Sequence, residues 1–137
     1  MIVEAIRGTS AEVLSLVAER EGALTAHVLF SKVVQSDSRA ACALGPVAVD
    51  PPLQGGGIGD ALIRAGIERL RRADWALLFV LGDPGYYRRF GFELAAPHGW
   101  HYTSHDFDRA FQVMWLVGPR TGAAGERWVE YDKAFRP

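Results

Sequence analysis

The sequence predicts an α/β fold with a mixed sheet, in which an antiparallel meander is followed by a βαβ unit. Two observations carry that prediction. Val13 to Arg20 and Leu24 to Val34 are β-rich runs separated by Glu21-Gly22, the pattern of a hairpin. Further on, Cys42 to Asp50 and the apolar run Trp75 to Leu81 flank an amphipathic stretch from about Gly59 to Ala73, and strand, helix, strand at this length implies a right-handed parallel crossover.

The elements follow in order. Ile2, Val3 and Ile6 stand at helical spacing with Gly8 and Thr9-Ser10 as a stop, so Met1 to Thr9 is expected to be a short helix. The hairpin comes next, with His27 in its second strand, then a polar loop from Gln35 to Ala41 and the strand Cys42 to Asp50. Within the helix, Leu62, Ile63, Gly66, Ile67 and Leu70 form one face, and Arg64, Glu68, Arg69, Arg71 and Arg72 form a solvated one. Trp75 to Leu81 is continuously apolar, as in a strand covered on both faces. Asp83-Pro84 is an N-cap followed by a favoured first helical residue and starts a short helix through Arg89 that Gly91 ends. Phe92 to Leu94 reads as a brief strand, Ala96 to Ala110 as a long loop and Phe111 to Val117 as a last strand. A glycine-rich tail then runs to Trp128–Phe135.

The 137 residues suit one domain, residues 1–137, and 49% apolar with 23% charged residues is ordinary for a globular protein. A net charge of -1 supplies no basic field of the kind that nucleic acid or an anionic membrane attracts. No apolar run is long enough to span a bilayer, and the N-terminus lacks a basic region followed by an apolar one. The lone cysteine, Cys42, excludes an intrachain disulfide and fits a small buried side chain better than a nucleophile. A cytoplasmic protein is the expectation.

The stretch that bears chemistry is Val49 to Asp60. Four of the five residues Gly55 to Gly59 are glycine, and they lead directly into a helix. Such a turn admits left-handed backbone and leaves its N–H groups uncovered, while the helix dipole favours an anion in front of them. A phosphate or pyrophosphate cradle is therefore expected. It is not a Walker A loop, because Asp60 and Ala61 stand where Lys and Ser or Thr belong. Nor is it the dinucleotide fingerprint, whose last glycine falls on Asp60 or on Leu62.

What fits is Val49-x-Pro51-x-x-Gln54-x-x-Gly57-x-Gly59, which resembles the acetyl-coenzyme A signature of the GNAT superfamily of N-acetyltransferases. Gly82-Asp83-Pro84-x-Tyr86-Tyr87-x-Arg89-Phe90-Gly91-Phe92 is similar to the second half of that core. The resemblance implies the GNAT-like fold with acetyl-CoA as cosubstrate. It implies that Val47, Ala48 and Val49 hold the pantetheine arm and that Gln54, Gly55, Gly56, Gly57, Ile58, Gly59 and Asp60 surround the pyrophosphate, with Asp83 and Tyr86 close by. Tyr87 falls where the superfamily often places a tyrosine near the sulfur, and it is the candidate general acid. The acceptor implied is a primary amine of a small molecule or of a protein N-terminus; the alternative is a catalytically impaired coenzyme A binding module.

Three departures from the family matter. Leu44 to Val49 contains no ionisable side chain, so Asp50, His27, Glu93, His98, His101 and His105 are all candidates for the base, none privileged by spacing. No metal is expected, because no carboxylate or cysteine accompanies the three late histidines at a known ligand spacing. Asp60, a carboxylate beside a pyrophosphate, is expected to point away. Finally, the family's first strand and first helix have no counterpart, and Met1 to Thr9 stands where its second helix ends. An edge strand left bare in this way implies either a homodimer or a natural start upstream of Met1.

Overall fold

The computed structural model describes residues 1–4 and 12–131. Strands β1 (Ile2–Glu4), β2 (Glu12–Arg20), β3 (Ala23–Val34) and β4 (Ala41–Val49) form an antiparallel meander. Helix α1 (Ile58–Arg72) then leads to β5 (Leu77–Leu81), which lies parallel to β4. After α2 (Pro84–Tyr87) come β6 (Glu93–Leu94), β7 (Trp100–Tyr102), β8 (Phe111–Trp115) and β9 (Arg127–Tyr131). The sheet order is β1-β2-β3-β4-β5-β8-β6, with β9 joined to the end of β3 and β7 paired to β9. The expected mixed sheet, meander first and βαβ unit second, is what forms.

The hairpin turn shows why two residues suffice to reverse the chain. Glu21 and Gly22 have φ of 52° and 81°, so both central positions are left-handed, as a type I′ turn requires. Arg20 then faces Ala23 across the strands.

Two expectations need correction. Ile2–Glu4 is a strand, not part of a helix; the rest of that segment lies outside the described residues. Ile2 and Val3 pair with Ala18 and Val17, and the registered edge of β2 outweighs the helical spacing of three apolar residues. The expected loop from Ala96 to Ala110 contains β7, whose three residues are all buried. Strand β7 exists because β9, more than twenty residues later, pairs with it in parallel, a partnership no local pattern encodes.

Alternation along the central strands makes two cores. Leu78 and Val80 of β5 face α1 together with Val28, Phe30 and Leu44, against Leu62, Ile63 and Ile67 of the helix. Leu77 and Phe79 face the other way, onto Trp100, Phe111 and Val129. The expected two-sided burial of this strand is thus met. The arginine face of α1 is only partly solvated: Arg72 pairs with Glu68 in solvent, but Arg71 donates to the Leu116 carbonyl at 3.2 Å. Arg64 lies 4.8 Å over the Phe90 ring.

Gly66 sets how closely α1 approaches the sheet, since a Cβ there would overlap the fully buried Phe30 ring. Gly66→Ala is accordingly expected to destabilise the protein. The better helix propensity of alanine gains about 1 kcal/mol, whereas overpacking a closed core costs ~1–3 kcal/mol and requires β3 or α1 to shift. A urea midpoint equal to or above that of the parent would refute this.

Candidate active site

The site begins where β4 leaves β5. Ala41 to Leu44 pair with Leu77 to Val80, and there the parallel pairing stops. On its other side β4 stays with β3 but slips register, placing Gly45 and Pro46 opposite the single residue Leu29. This bulge needs Gly45, whose φ is +134°. Beyond it, Val47, Ala48 and Val49 face Val28, His27 and Ala26, and their opposite edge has no strand partner among the described residues.

Antiparallel alternation decides which of these backbones is free. Asp50 N–H donates to the Thr25 carbonyl at 2.8 Å, so the Ala48 N–H and C=O turn toward β3, while those of Val47 and Val49 turn to the open edge. The Val49 carbonyl is already taken by the Gln54 side-chain amide, 3.1 Å away. Of these three residues, Val47 turns both backbone groups and Val49 its N–H to the open edge, and Ala48 turns its own to β3.

A 3-10 turn at Pro51–Leu53 carries the chain to the glycines. Gly55 and Gly57 have φ of 83° and 86°, and Gly57 occupies the N-cap position of α1 without any side-chain cap. The first helical hydrogen bond runs from Ala61 N–H to the Gly57 carbonyl, 3.0 Å. The N–H groups of Gly57, Ile58, Gly59 and Asp60 thus have no acceptor among the described residues, as the first turn of any helix leaves them. They border a cleft of about 280 Å³, with Gln54, Gly55 and Gly57 on one wall and Tyr86 and Arg89 on the other. Gly56 stands outside it, its N–H bonded to the Leu53 carbonyl.

Helix α2 closes the second wall. Asp83 caps it, accepting from Gly85 N–H at 2.9 Å; its carboxylate serves the turn rather than the cleft. Tyr86 donates its hydroxyl to Asp60 at 2.6 Å, and Arg89 reaches the other Asp60 oxygen at 3.0 Å while lying 4.5 Å over the Tyr86 ring. Asp60 therefore lines the cleft but spends both oxygens on the facing wall. The Tyr86 bond, with Arg89 behind it, holds the Asp60 carboxyl below its ordinary range, and burial together with Asp60 pushes Tyr86 up to about 12. Arg89 was the residue to add to the expected set: its signal was the arginine three places after Tyr86.

The Tyr87 ring rests on Gly82, just past the end of β5, where a Cβ would stand 2.5 Å from its Cε2. Phe92 and Tyr86 hold it edge-on at 5.8 and 4.9 Å. Burial pushes its hydroxyl upward, and that hydroxyl has no partner among the described residues.

The candidate bases are scattered. His27 and Asp50 share a groove of about 560 Å³ on the side of β3 and β4 away from α1, with His27 Nε2 2.7 Å from the Ser15 hydroxyl. Glu93 pairs with Arg120 and His98 at the β6 edge, while His101 and His105 share Asp108. Cys42 is fully buried with its thiol pushed far up by desolvation, which removes it as a nucleophile.

A mixed sheet whose central strand parts from its neighbour beside a glycine-turned helix start defines an α/β protein with a backbone-lined anion cleft. The chain belongs to the GNAT family: the acetyltransferase (GNAT) domain profile matches residues 12–94. It is 38% identical over 125 residues to the uncharacterized N-acetyltransferase YhbS of Escherichia coli K12, covering 89% of this chain and 74% of that protein. It is 37% identical over 107 residues to YjhQ of the same organism, covering 76% of this chain but 59% of YjhQ. Among solved structures, YhbS in complex with CoA superposes with a TM-score of 0.76 at 33% identity, over 89% of this chain and 68% of that one. A GNAT acetyltransferase from Brucella melitensis in complex with acetyl-CoA gives 0.69 at 38% identity, over 90% and 69%.

Proposed function

We propose that this protein transfers an acetyl group from acetyl-CoA to a primary amine. The observation that carries the reading is the pairing, in a GNAT chain, of four unpartnered N–H groups at a helix start with the open edge of β4. Fit supports it further. The left-handed Gly57 leaves room for phosphate against the backbone, and Arg89 compensates the carboxylate that lines the cleft, Asp60.

When bound, acetyl-CoA supplies an activated thioester. In this reading the N–H groups of Gly57, Ile58, Gly59 and Asp60 hold its pyrophosphate. The backbone N–H and C=O of Val47 and the N–H of Val49 align its arm, as an added strand would be aligned. Tyr87 holds a proton at its hydroxyl throughout the neutral range, as an acid for a leaving sulfur must. The groove containing His27 and Asp50 is where we place the acceptor, because Asp50 offers a carboxylate to an ammonium and His27 a ring nitrogen to take its proton. A small-molecule amine and a protein N-terminal amine both satisfy that chemistry.

A homodimer joined at the β1 edge and a cytoplasmic location complete the proposal. Strand β1 pairs on one side only, with β2, among the described residues, and the buried Cys42 thiol suits a reducing compartment. Sedimentation showing only monomer at micromolar concentration would remove the dimer.

The test is a calorimetric titration with acetyl-CoA, CoA and NAD, followed by thiol release from acetyl-CoA across a panel of amines. Micromolar binding of the two coenzyme A forms and not of NAD is expected. Failure of both to bind would overturn the reading.

A further inference from the structure

Far from the cleft, the chain assembles a group of side chains that acetyl transfer does not use. His101 lies in β7, opposite Trp128 of β9. His105 opens the 3-10 turn that follows, a turn capped by the Ser104 hydroxyl accepting from Asp106 N–H. Glu126 immediately precedes β9, where Arg127 N–H bonds the Gly99 carbonyl and fixes the approach of the two segments. Strand β9 pairs with the last two residues of β3, whereas the open-edged part of β4 pairs with Ala26 to Val28 in its first half, so the two sites lie at different ends of the β3 pairing.

Asp108 determines which nitrogens are available. Its two oxygens accept from Nδ1 of His101 at 2.8 Å and from Nδ1 of His105 at 3.1 Å. A carboxylate only accepts, so both Nδ1 atoms carry hydrogen, and in the neutral imidazole that binds a metal each Nε2 presents its lone pair. These Nε2 atoms face one Glu126 oxygen, at 3.6 Å and 3.8 Å, and the three ligand atoms lie within 4.8 Å of one another. The separations exceed a hydrogen bond. They approach the ~3.3 Å between ligands of a tetrahedral ion with bonds of about 2.0–2.1 Å.

A second observation points the same way. His101 is only 4% exposed, and its Nε2 is buried without a hydrogen-bond partner. A lone pair in that position costs free energy unless something occupies the space before it. Trp128 packs on both imidazoles, with centroids 5.1 and 5.2 Å away, while His105 and Glu126 stay open to solvent and give an entry path.

We propose that His101, His105 and Glu126 bind a zinc-class divalent cation, with Asp108 as the outer carboxylate that orients both histidines. Two imidazoles and a carboxylate suit zinc and exclude magnesium, which demands oxygen ligands. The ion ties the turn at His105 to β9 and leaves a fourth position for water. The absent local spacing explains why no metal was expected: the third ligand comes from a distant segment.

The test uses tag-free protein stripped with a chelator and titrated calorimetrically with zinc chloride at pH 7.5, with magnesium chloride as comparison. One zinc per chain at micromolar Kd or tighter is expected, with no magnesium uptake. His105→Ala and Glu126→Gln, both at exposed positions, are expected to weaken zinc at least tenfold. Asp108→Asn, which leaves all three ligands in place, is expected to weaken it about 10–100-fold. Zinc should raise the melting temperature of the parent and not of His105→Ala, whose unchanged acetyl-CoA affinity would report an intact fold. Absence of saturable one-to-one zinc binding, or equal affinity in parent and His105→Ala, overturns the proposal.

Discussion

Replacing Tyr87 by phenylalanine is expected to lower the rate of acetyl transfer about 100-fold, the lower end of what a positioned proton donor contributes. The ring is fixed by Gly82, Phe92 and Tyr86, so the phenylalanine variant keeps the packing and loses only the hydroxyl. Coenzyme affinity should stay within about threefold, because the phosphate cradle is untouched; the loss is then in kcat. The pH profile supplies an independent check. Burial raises Tyr87 above the ordinary tyrosine value, which favours the protonated form in the folded state. The acid is therefore present at neutral pH and is lost only as pH rises above the ordinary tyrosine range. An alkaline decline belonging to Tyr87 should vanish in the variant. Unchanged turnover, measured as thiol release with any amine that supports it, would remove Tyr87 from the mechanism.

What the sequence revealed and what it hid follow one physical rule. Glu21-Gly22, the Asp83 cap and the glycine turn before α1 are local devices, set by the φ preferences and side-chain donors of a few consecutive residues, and each is found at its expected place. The apolar run of β5 was equally legible, since burial on both faces needs no knowledge of the partner. Strand β7 and the ligand set around His101 were not, because each depends on β9 or Glu126 arriving from far along the chain. The Asp60 carboxylate was a puzzle for the same reason. Its partners, Tyr86 and Arg89, come from the other side of the cleft, and only folding shows that the charge is already answered. Even the strand motif hid a distinction: Val47, Ala48 and Val49 are alike in sequence, but alternation commits Ala48 to β3 and frees its neighbours.

The cradle itself yields the second large effect. Gly57→Val should weaken acetyl-CoA binding about 100-fold, equivalent to ~2.7 kcal/mol. Gly57 sits at φ +86° with open space where a Cβ would point, so the obstacle is conformational rather than steric crowding within the protein. A β-branched residue resists that region by roughly 1–3 kcal/mol. Relaxing it re-aims the N–H groups of Gly57, Ile58 and Gly59, each of which contributes about 1.5–3 kcal/mol when hydrogen-bonded to a charged partner. Asparagine tolerates left-handed backbone far better than valine. Gly57→Asn should accordingly lose less than about tenfold, and the contrast between the two variants isolates backbone direction from side-chain bulk. Gly57→Asn should melt close to the parent temperature, whereas Gly57→Val should melt several degrees lower, because the folded state carries its strain. If valine and asparagine weaken binding equally, the N–H groups at the start of α1 are not what holds the coenzyme, and the anion must be held instead by the Arg89 wall of the same cleft.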